Sequence, residues 1–397
     1  MHIIYKSNFQ RRCLLFSAIL LSGGQLFINR PILLSVLAIL AITYAKGSLL
    51  KFKRINSLFF IVLVITIEWI LRIDDHIFMP ILIRYLNFFS AVIILVIYLN
   101  SPGGILLFRK DLYIILFWIS LGAIINFIIA NFFSSVFYTI NTTDGSSINS
   151  LFYIFNYHES VANQYNLVRP DFVFYEPGVL QIYINIFLYL SLFIYNNKKN
   201  SLIALISVFF TLSTTGIIIT LIILIFFYFK FIIKNNSKFK IFNIIILGLL
   251  IIPFFYLLSQ NIGDKLNGEA IGSSIAREYD FYTGLEIIKQ YPILGIGFDH
   301  ARYISLSGVN YYSDTLLTGD SIEDRPSSNG LINLFYSIGI FLGSLYLFLL
   351  YRQKLLPDKI LIFIIMLLSL FGESLVFTPF FLLFVCSSSV IFRLNNQ

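Results

Sequence analysis

Ile217-Ile-Ile-Thr-Leu-Ile-Ile-Leu-Ile-Phe-Phe-Tyr-Phe229 is apolar on every face. A strand of a transmembrane barrel alternates apolar and polar residues in segments of roughly ten. This run does not alternate, so it reads as a helix with apolar surroundings on all sides. The rest of the chain repeats the pattern. Of its 397 residues, 58% are hydrophobic and 12% are charged, whereas a soluble domain carries about 25% charged residues. At roughly 20 apolar residues per span, the length suits one integral membrane domain: an all-α polytopic membrane protein of about 12 transmembrane helices. Spans are expected near residues 13–29, 31–45, 57–73, 81–99, 112–133, 177–195, 201–213, 215–233, 241–258, 329–351, 358–373 and 375–392. The 201–233 pair is one apolar run broken at Ser213-Thr-Thr-Gly216, either a tight turn between two spans or a break within the membrane.

Charge tests this arrangement. With a cytoplasmic N-terminus, most of the 28 Lys and Arg residues fall in cytoplasmic loops, and of the 20 acids only Asp111 and Asp358 do. That is the positive-inside bias. One span missed or invented would spoil it, so the bias supports the turn at 213–216 and places both termini in the cytoplasm. The net charge of +8 is accounted for by these short loops, which argues against nucleic acid as a partner. Cys13 and Cys386 stand at opposite ends of the chain and offer no disulfide framework. His2, His76, His158 and His300 are scattered without ligand spacing, so no metal is expected. No Walker motif, dinucleotide fingerprint or Ser/His/Asp pattern is present, and no cofactor is expected. A reaction outside the membrane then needs an already activated substrate.

Two large extracytoplasmic loops are expected, at 134–176 and 259–328. Both exceed the ordinary connection of roughly two to eight residues, and they hold most of the acids. Short helices are expected in each. Residues 274–290 alternate apolar and charged positions as an amphipathic surface helix does, and they end ahead of Pro292.

The loops carry the candidate chemistry. Arg169-Pro-Asp-Phe-Val-Phe-Tyr-Glu-Pro-Gly178 puts an arginine and two acids at the doorstep of a span, where charge is costly unless solvated, paired or used. Arg169 can grip a phosphate with two parallel hydrogen bonds, or simply pair with Asp171 or Glu176. Glu176 and Pro177 suit the first turn of a helix without any function; the functional reading makes Glu176 a base or a sugar-hydroxyl ligand. Arg277 is a second phosphate candidate, or a surface charge paired with Glu278 or Asp280. In Tyr291-Pro-Ile-Leu-Gly-Ile-Gly297 the glycines allow close backbone approach, and the loop can present N–H groups to phosphate. Asp299 and His300 follow, His300 as an acid or base near neutral pH or as a solvated loop residue. Arg325 precedes Ser327, Ser328 and Asn329, which read as helix caps. Gly339 and Gly343 form a small-xxx-small pattern for helix packing. Glu68 and Glu373 sit near the outer ends of their spans, either touching the site or reaching interfacial water.

Three pieces of this pattern resemble the O-antigen polymerases (Wzy-type) of the O-antigen ligase and polymerase superfamily: Arg169 with Phe174-Tyr-Glu-Pro-Gly178, Arg277 with the Pro-x-x-Gly-x-Gly segment, and Ser328-Asn-Gly330 with Gly339 and Gly343. The likeness implies polymerisation of undecaprenyl-pyrophosphate-linked oligosaccharide repeat units at the outer face of a bacterial inner membrane. Membrane lipid and a chain-length regulator protein are the implied partners. Under it Arg169 and Arg277 hold pyrophosphate, Arg325 assists, Glu176 or Asp299 orients or deprotonates the acceptor, and Tyr175 and Tyr303 stack on sugars; Asn329 and His300 complete the expected substrate contacts. Ligases usually show His-Asn where this chain has Ser328-Asn329, which favours a polymerase over a ligase. A flippase for lipid-linked glycan is the rival from another class. It would need charge lining a cavity at the midplane, whereas here the charge lies in loops. A polysaccharide O-acetyltransferase ranks third.

Overall fold

The structure is a computed structural model. It describes residues 2–24, 27, 30–45, 78–101, 103–141, 147–158, 167–233, 248, 252, 254–256, 258–263, 271–298, 300–307 and 327–388. The expected span at 57–73, most of that at 241–258, and Glu68, Asp299 and Arg325 lie outside the described residues.

The chain is mostly helical. Helices α1 (His2–Leu21), α2 (Arg30–Ala45), α3 (Phe78–Asn100) and α4 (Gly104–Phe132) lead to a small sheet. Helices α5 (Pro177–Tyr189), α6 (Lys198–Thr211) and α7 (Thr214–Phe227) follow, with α5 and α7 each continuing into a short π-helical turn. Next come α8 (Ile271–Gln290) and α9 (His300–Ser307), and finally α10 (Gly330–Tyr351), α11 (Lys359–Gly372) and α12 (Pro379–Ser387). Among the described residues four helices are long and apolar enough to cross a membrane: 81–100, 104–132, 177–194 and 330–351. Shorter apolar helices cover 31–41, 214–230 and 359–372. The expectation of twelve spans thus reduces to a membrane protein with four full-length candidates and several shorter apolar helices.

Helix α4 starts about two turns before the expected 112. Its 29 residues, at about 1.5 Å each, exceed a hydrocarbon core of roughly 30 Å. It therefore carries Arg109 and Asp111 to one end of the bundle and Asn131 to the other. The first end is a basic end. There Arg11 and Arg12 donate to Asp111 at 2.6 and 2.9 Å, and Arg109 donates to the Leu355 carbonyl at 2.7 Å.

The break at 213–216 is a turn between two helices. Leu212 takes a left-handed φ of 49°, and Ser213 caps α7 by accepting from the Gly216 N–H. Both outer flanks of this hairpin return to the basic end: Asn200 donates to the Tyr113 hydroxyl, and Lys230 pairs with Asp358, which also accepts from Tyr189. A polar ladder ties the hairpin to α5. Gln181 accepts from Asn185, Asn185 donates to the Gly216 carbonyl at 3.1 Å, and Thr220 donates to Asn185 at 2.7 Å. Each buried amide is thereby matched within the bundle, as an apolar environment demands.

The first loop departs from the expected helices. It folds as a three-stranded antiparallel sheet, β1 (Tyr138–Asn141), β2 (Ser147–Leu151) and β3 (Phe155–Tyr157), with Tyr138 opposite Ser150 and Asn149 opposite Tyr157. The composition of a polar insert sets no period that distinguishes the two, and pairing between strands supplied what helix propensity did not. Side-chain amides of α4 moor the loop: Asn126 donates to the Asn156 carbonyl, and Asn131 grips the Val168 peptide from both sides. Phe172 inserts its ring where Gly122 leaves α4 without a side chain; a Cβ there would lie 2.3 Å from the ring.

The amphipathic helix of the second loop is present as α8 and ends at Gln290, ahead of Pro292. Its buried face, Asp280, Thr283, Gly284 and Ile287, packs on α10.

Candidate functional site

At the end of the bundle opposite the basic end, three separate segments bring charge together. Arg169 and Glu176 come from the first loop, Arg277 from α8, and Glu373 from the α11–α12 connection. Arg169 is half-buried and donates from Nε to the Thr211 carbonyl at 3.0 Å. That carbonyl belongs to the last turn of α6, so the hairpin tip fixes the arginine's position. Asp171, Glu176 and Glu373 attract its guanidinium, and Arg277 repels it. Among the described residues, neither Arg169 nor Arg277 forms an ion pair within 4 Å. The expected alternatives, Arg169 paired with Asp171 or Glu176 and Arg277 paired with Glu278 or Asp280, are not what the structure shows.

Glu176 stands at the N-cap of α5, yet its side chain makes no capping hydrogen bond. Its carboxyl instead lies beside that of Glu373. Tyr175 donates to Glu373 Oε2 at 3.3 Å. Glu373 is 5% exposed. Burial first, then the neighbouring Glu176, hold its carboxyl well above the usual carboxylate range, against the pull of Arg277. Gly178 makes the approach possible: a Cβ there would lie 2.3 Å from Glu373 Oε1.

A second acidic group lies beside this pair. Asp171 is 1% exposed, and its Oδ2 holds His158 Nδ1 at 2.7 Å. Burial raises the Asp171 pKa to about 6 despite His158 and Arg169 nearby. The hydrogen bond to Asp171 raises the His158 pKa, with burial opposing.

The remaining expected residues are placed as follows. Tyr175 is at the site. Asn329 caps α10, accepting from the Leu331 and Ile332 N–H groups at 3.1 Å each, the structural use expected of it. Tyr303 is buried, stacked on Tyr336 at 5.0 Å and hydrogen-bonded to Asp280; it supports the second loop, and no open face is left for a sugar to stack on. Asp280 also accepts from the Ser328 N–H and hydroxyl at 2.9 and 2.6 Å. His300 begins α9. The glycine loop is not a phosphate cradle along its whole length: the Ile296 and Gly297 N–H groups donate to the Tyr336 and Ser337 carbonyls at 2.7 and 2.9 Å. Those carbonyls are freed where Gly339, at φ 79°, kinks α10. A Cβ at Gly339 would lie 2.0 Å from the Ile293 carbonyl oxygen, so this glycine serves the second loop rather than another helix.

Three residues of the site, and Arg84 elsewhere, carry weak local signals or none. Glu373 reads in the sequence only as a possible neighbour. The His158–Asp171 pair lacks any local signal, since thirteen positions separate its members. Arg84, in the first turns of α3, lies over the rings of Phe298 and Phe377 at 5.2 and 5.6 Å; an arginine inside an apolar segment was the signal that could have found it.

Residues 200–347 match the family model described as O-Antigen ligase, consistent with a member of the O-antigen polymerase and ligase superfamily. The matched segment contains Arg277, the glycine loop and Asn329. No curated protein and no solved structure matches the chain.

Proposed function

We propose that this protein is a surface-polysaccharide polymerase, joining undecaprenyl-pyrophosphate-linked repeat units at the outer face of the bacterial inner membrane. The observation that carries the reading is that Arg277 repels Arg169 and that, among the described residues, neither arginine has a carboxylate within ion-pair distance. Two like charges so placed repel, and an anion between them reverses the sign of that interaction. A pyrophosphate brings the charge and the oxygen geometry that guanidinium forks match.

In this reading the arginines hold the pyrophosphate of the donor and receive the charge that develops as it leaves. Arg325 and Asp299, in the second loop, complete the substrate contacts. Glu176 orients the acceptor hydroxyl, and burial holds the neighbouring Glu373 toward its neutral form, which limits the negative charge beside the donor. The basic end faces the cytoplasm, and a separate chain-length regulator sets how far polymerisation runs.

The test is a surface-polysaccharide gel from a deletion strain complemented with wild type and with Arg277→Ala. A core-plus-one-repeat band in the deletion, turned into a ladder by wild type and not by the variant, supports the reading. A ladder that survives the deletion sinks it. The name of the matched family favours a second reading, ligation of finished glycan to lipid A core. Bare core in the deletion strain, with no single-repeat band, would select the ligase.

A further inference from the structure

We propose that His158, oriented by Asp171, is the general base that takes the proton from the acceptor hydroxyl. The proposal rests on the polymerase reading above and assigns a group that reading leaves open.

The geometry is that of an oriented imidazole. Asp171 Oδ2 fixes Nδ1 at 2.7 Å, so Nε2 is the nitrogen left to act. The carboxylate is 1% exposed, while the imidazole is 36% exposed and reachable. Backbone bonds hold the acid still: the Asp171 N–H donates to the Asn156 carbonyl at 2.9 Å, and its own carbonyl accepts from the Phe174 N–H at 3.0 Å. Asn156 is in turn held by Asn126 of α4. The imidazole therefore rides on a strand end moored to a long helix, which suits a group that must be positioned closely.

The dyad also sits where the chemistry would be. Glu176 acts electrostatically on both His158 and Asp171, and Arg169 acts on Asp171. These are the charged groups of the described residues that face the dyad, from the α5 N-cap and from the loop itself. The same loop thus carries the pyrophosphate-binding arginine, the acceptor-orienting acid and the imidazole.

A purely structural clamp is a poor account of the pair. Among the described residues Asp171 Oδ1 is buried with no hydrogen-bond partner. A half-satisfied buried carboxylate is costly, and an uncharged amide could hold an imidazole without burying a charge. What a carboxylate does, and an amide does not, is stabilise the imidazolium that forms when the ring accepts a proton. Glu373 is a weaker candidate for base because burial holds its carboxyl toward the neutral form.

The step balances as follows. The acceptor hydroxyl passes its proton to Nε2 while its oxygen bonds to the anomeric carbon of the donor. The bond from that carbon to the pyrophosphate oxygen breaks, and its electron pair leaves with the lipid pyrophosphate, between Arg169 and Arg277. The imidazolium then returns its proton to water.

The experiment uses the full-length protein in proteoliposomes, supplied with lipid-linked repeat units extracted from the deletion strain. Wild type elongates them. His158→Ala is expected to slow elongation at least about 100-fold, in the range of lost general-base catalysis, and added imidazole is expected to restore part of the rate. His158→Gln, which keeps a donor toward Asp171 and no base, is expected to fold as wild type does and to be equally slow. Asp171→Asn should lose less. Elongation by His158→Gln within about threefold of wild type overturns the proposal. So does a loss in His158→Ala that imidazole does not relieve, which makes the dyad a clamp. If wild type itself fails to elongate the units, the polymerase reading fails, and this proposal falls with it.

Discussion

The two ends of the bundle handle charge in opposite ways. At the basic end, opposite charges meet: Arg11 and Arg12 share Asp111, and Lys230 meets Asp358. At the loop end, like charges are neighbours: Arg277 repels Arg169, and Glu176 lies beside Glu373. The first arrangement lowers the free energy of the folded chain by itself. The second raises it, and an anion near the arginines relieves their repulsion. A protein that keeps one end satisfied and the other frustrated is stable at the first and equipped for binding at the second.

Five substitutions can break or sharpen this contrast. Asp111→Ala should have the largest effect. It leaves the buried guanidinium of Arg11 without its partner, at a cost of about 3–5 kcal/mol. Thermal unfolding in detergent and membrane abundance should both fall, while elongation per folded molecule changes little. Arg277→Ala should do the reverse. Elongation falls by about 100-fold, equivalent to about 2.7 kcal/mol of lost charge stabilisation, and thermal stability holds or rises because Arg169 loses a repelling neighbour. A fall in stability would place Arg277 among the structural charges. Arg169→Lys should fail to restore what Arg169→Ala removes, since an ammonium lacks the fork.

Glu373→Gln gives a finer test. The raised pKa of Glu373 means that the folded protein favours its neutral carboxyl; that contribution is fully present below the ordinary carboxylate range and is lost progressively as pH rises from there through the raised value. Glutamine keeps the neutral form at every pH. The variant should match wild type in stability at acid pH, exceed it at neutral pH, and lose the decline in thermal unfolding temperature that wild type shows as pH rises. A variant that is markedly less stable at neutral pH would show the carboxyl to be ionised there. The smallest effect belongs to Lys230→Met. Lys230 is 46% exposed in its pair with Asp358, so the loss should be at most about 1 kcal/mol, and elongation should be unchanged.

Much of the scaffold was legible in the sequence. Apolar length placed the helices at 31–45, 81–99 and 177–195 to within a few residues, and the asymmetry of lysine and arginine argued for the hairpin turn that Ser213 caps. The amphipathic helix ended where Pro292 requires. These are local signals, fixed by how many consecutive residues avoid water and by which backbone groups a residue can cap. The motif Arg169 to Gly178 and Arg277 could also be picked out, because charge beside an apolar span is conspicuous. What no local signal contains is which groups meet. Tyr175 and Glu373 stand 198 residues apart and touch; His158 and Asp171 pair across a stretch with no motif; the polar first loop closes as a sheet. The tertiary structure decided these, because two acids brought side by side and an imidazole fixed by a third depend on distances of a few ångströms and on exclusion of water, and both are set by how the helices pack.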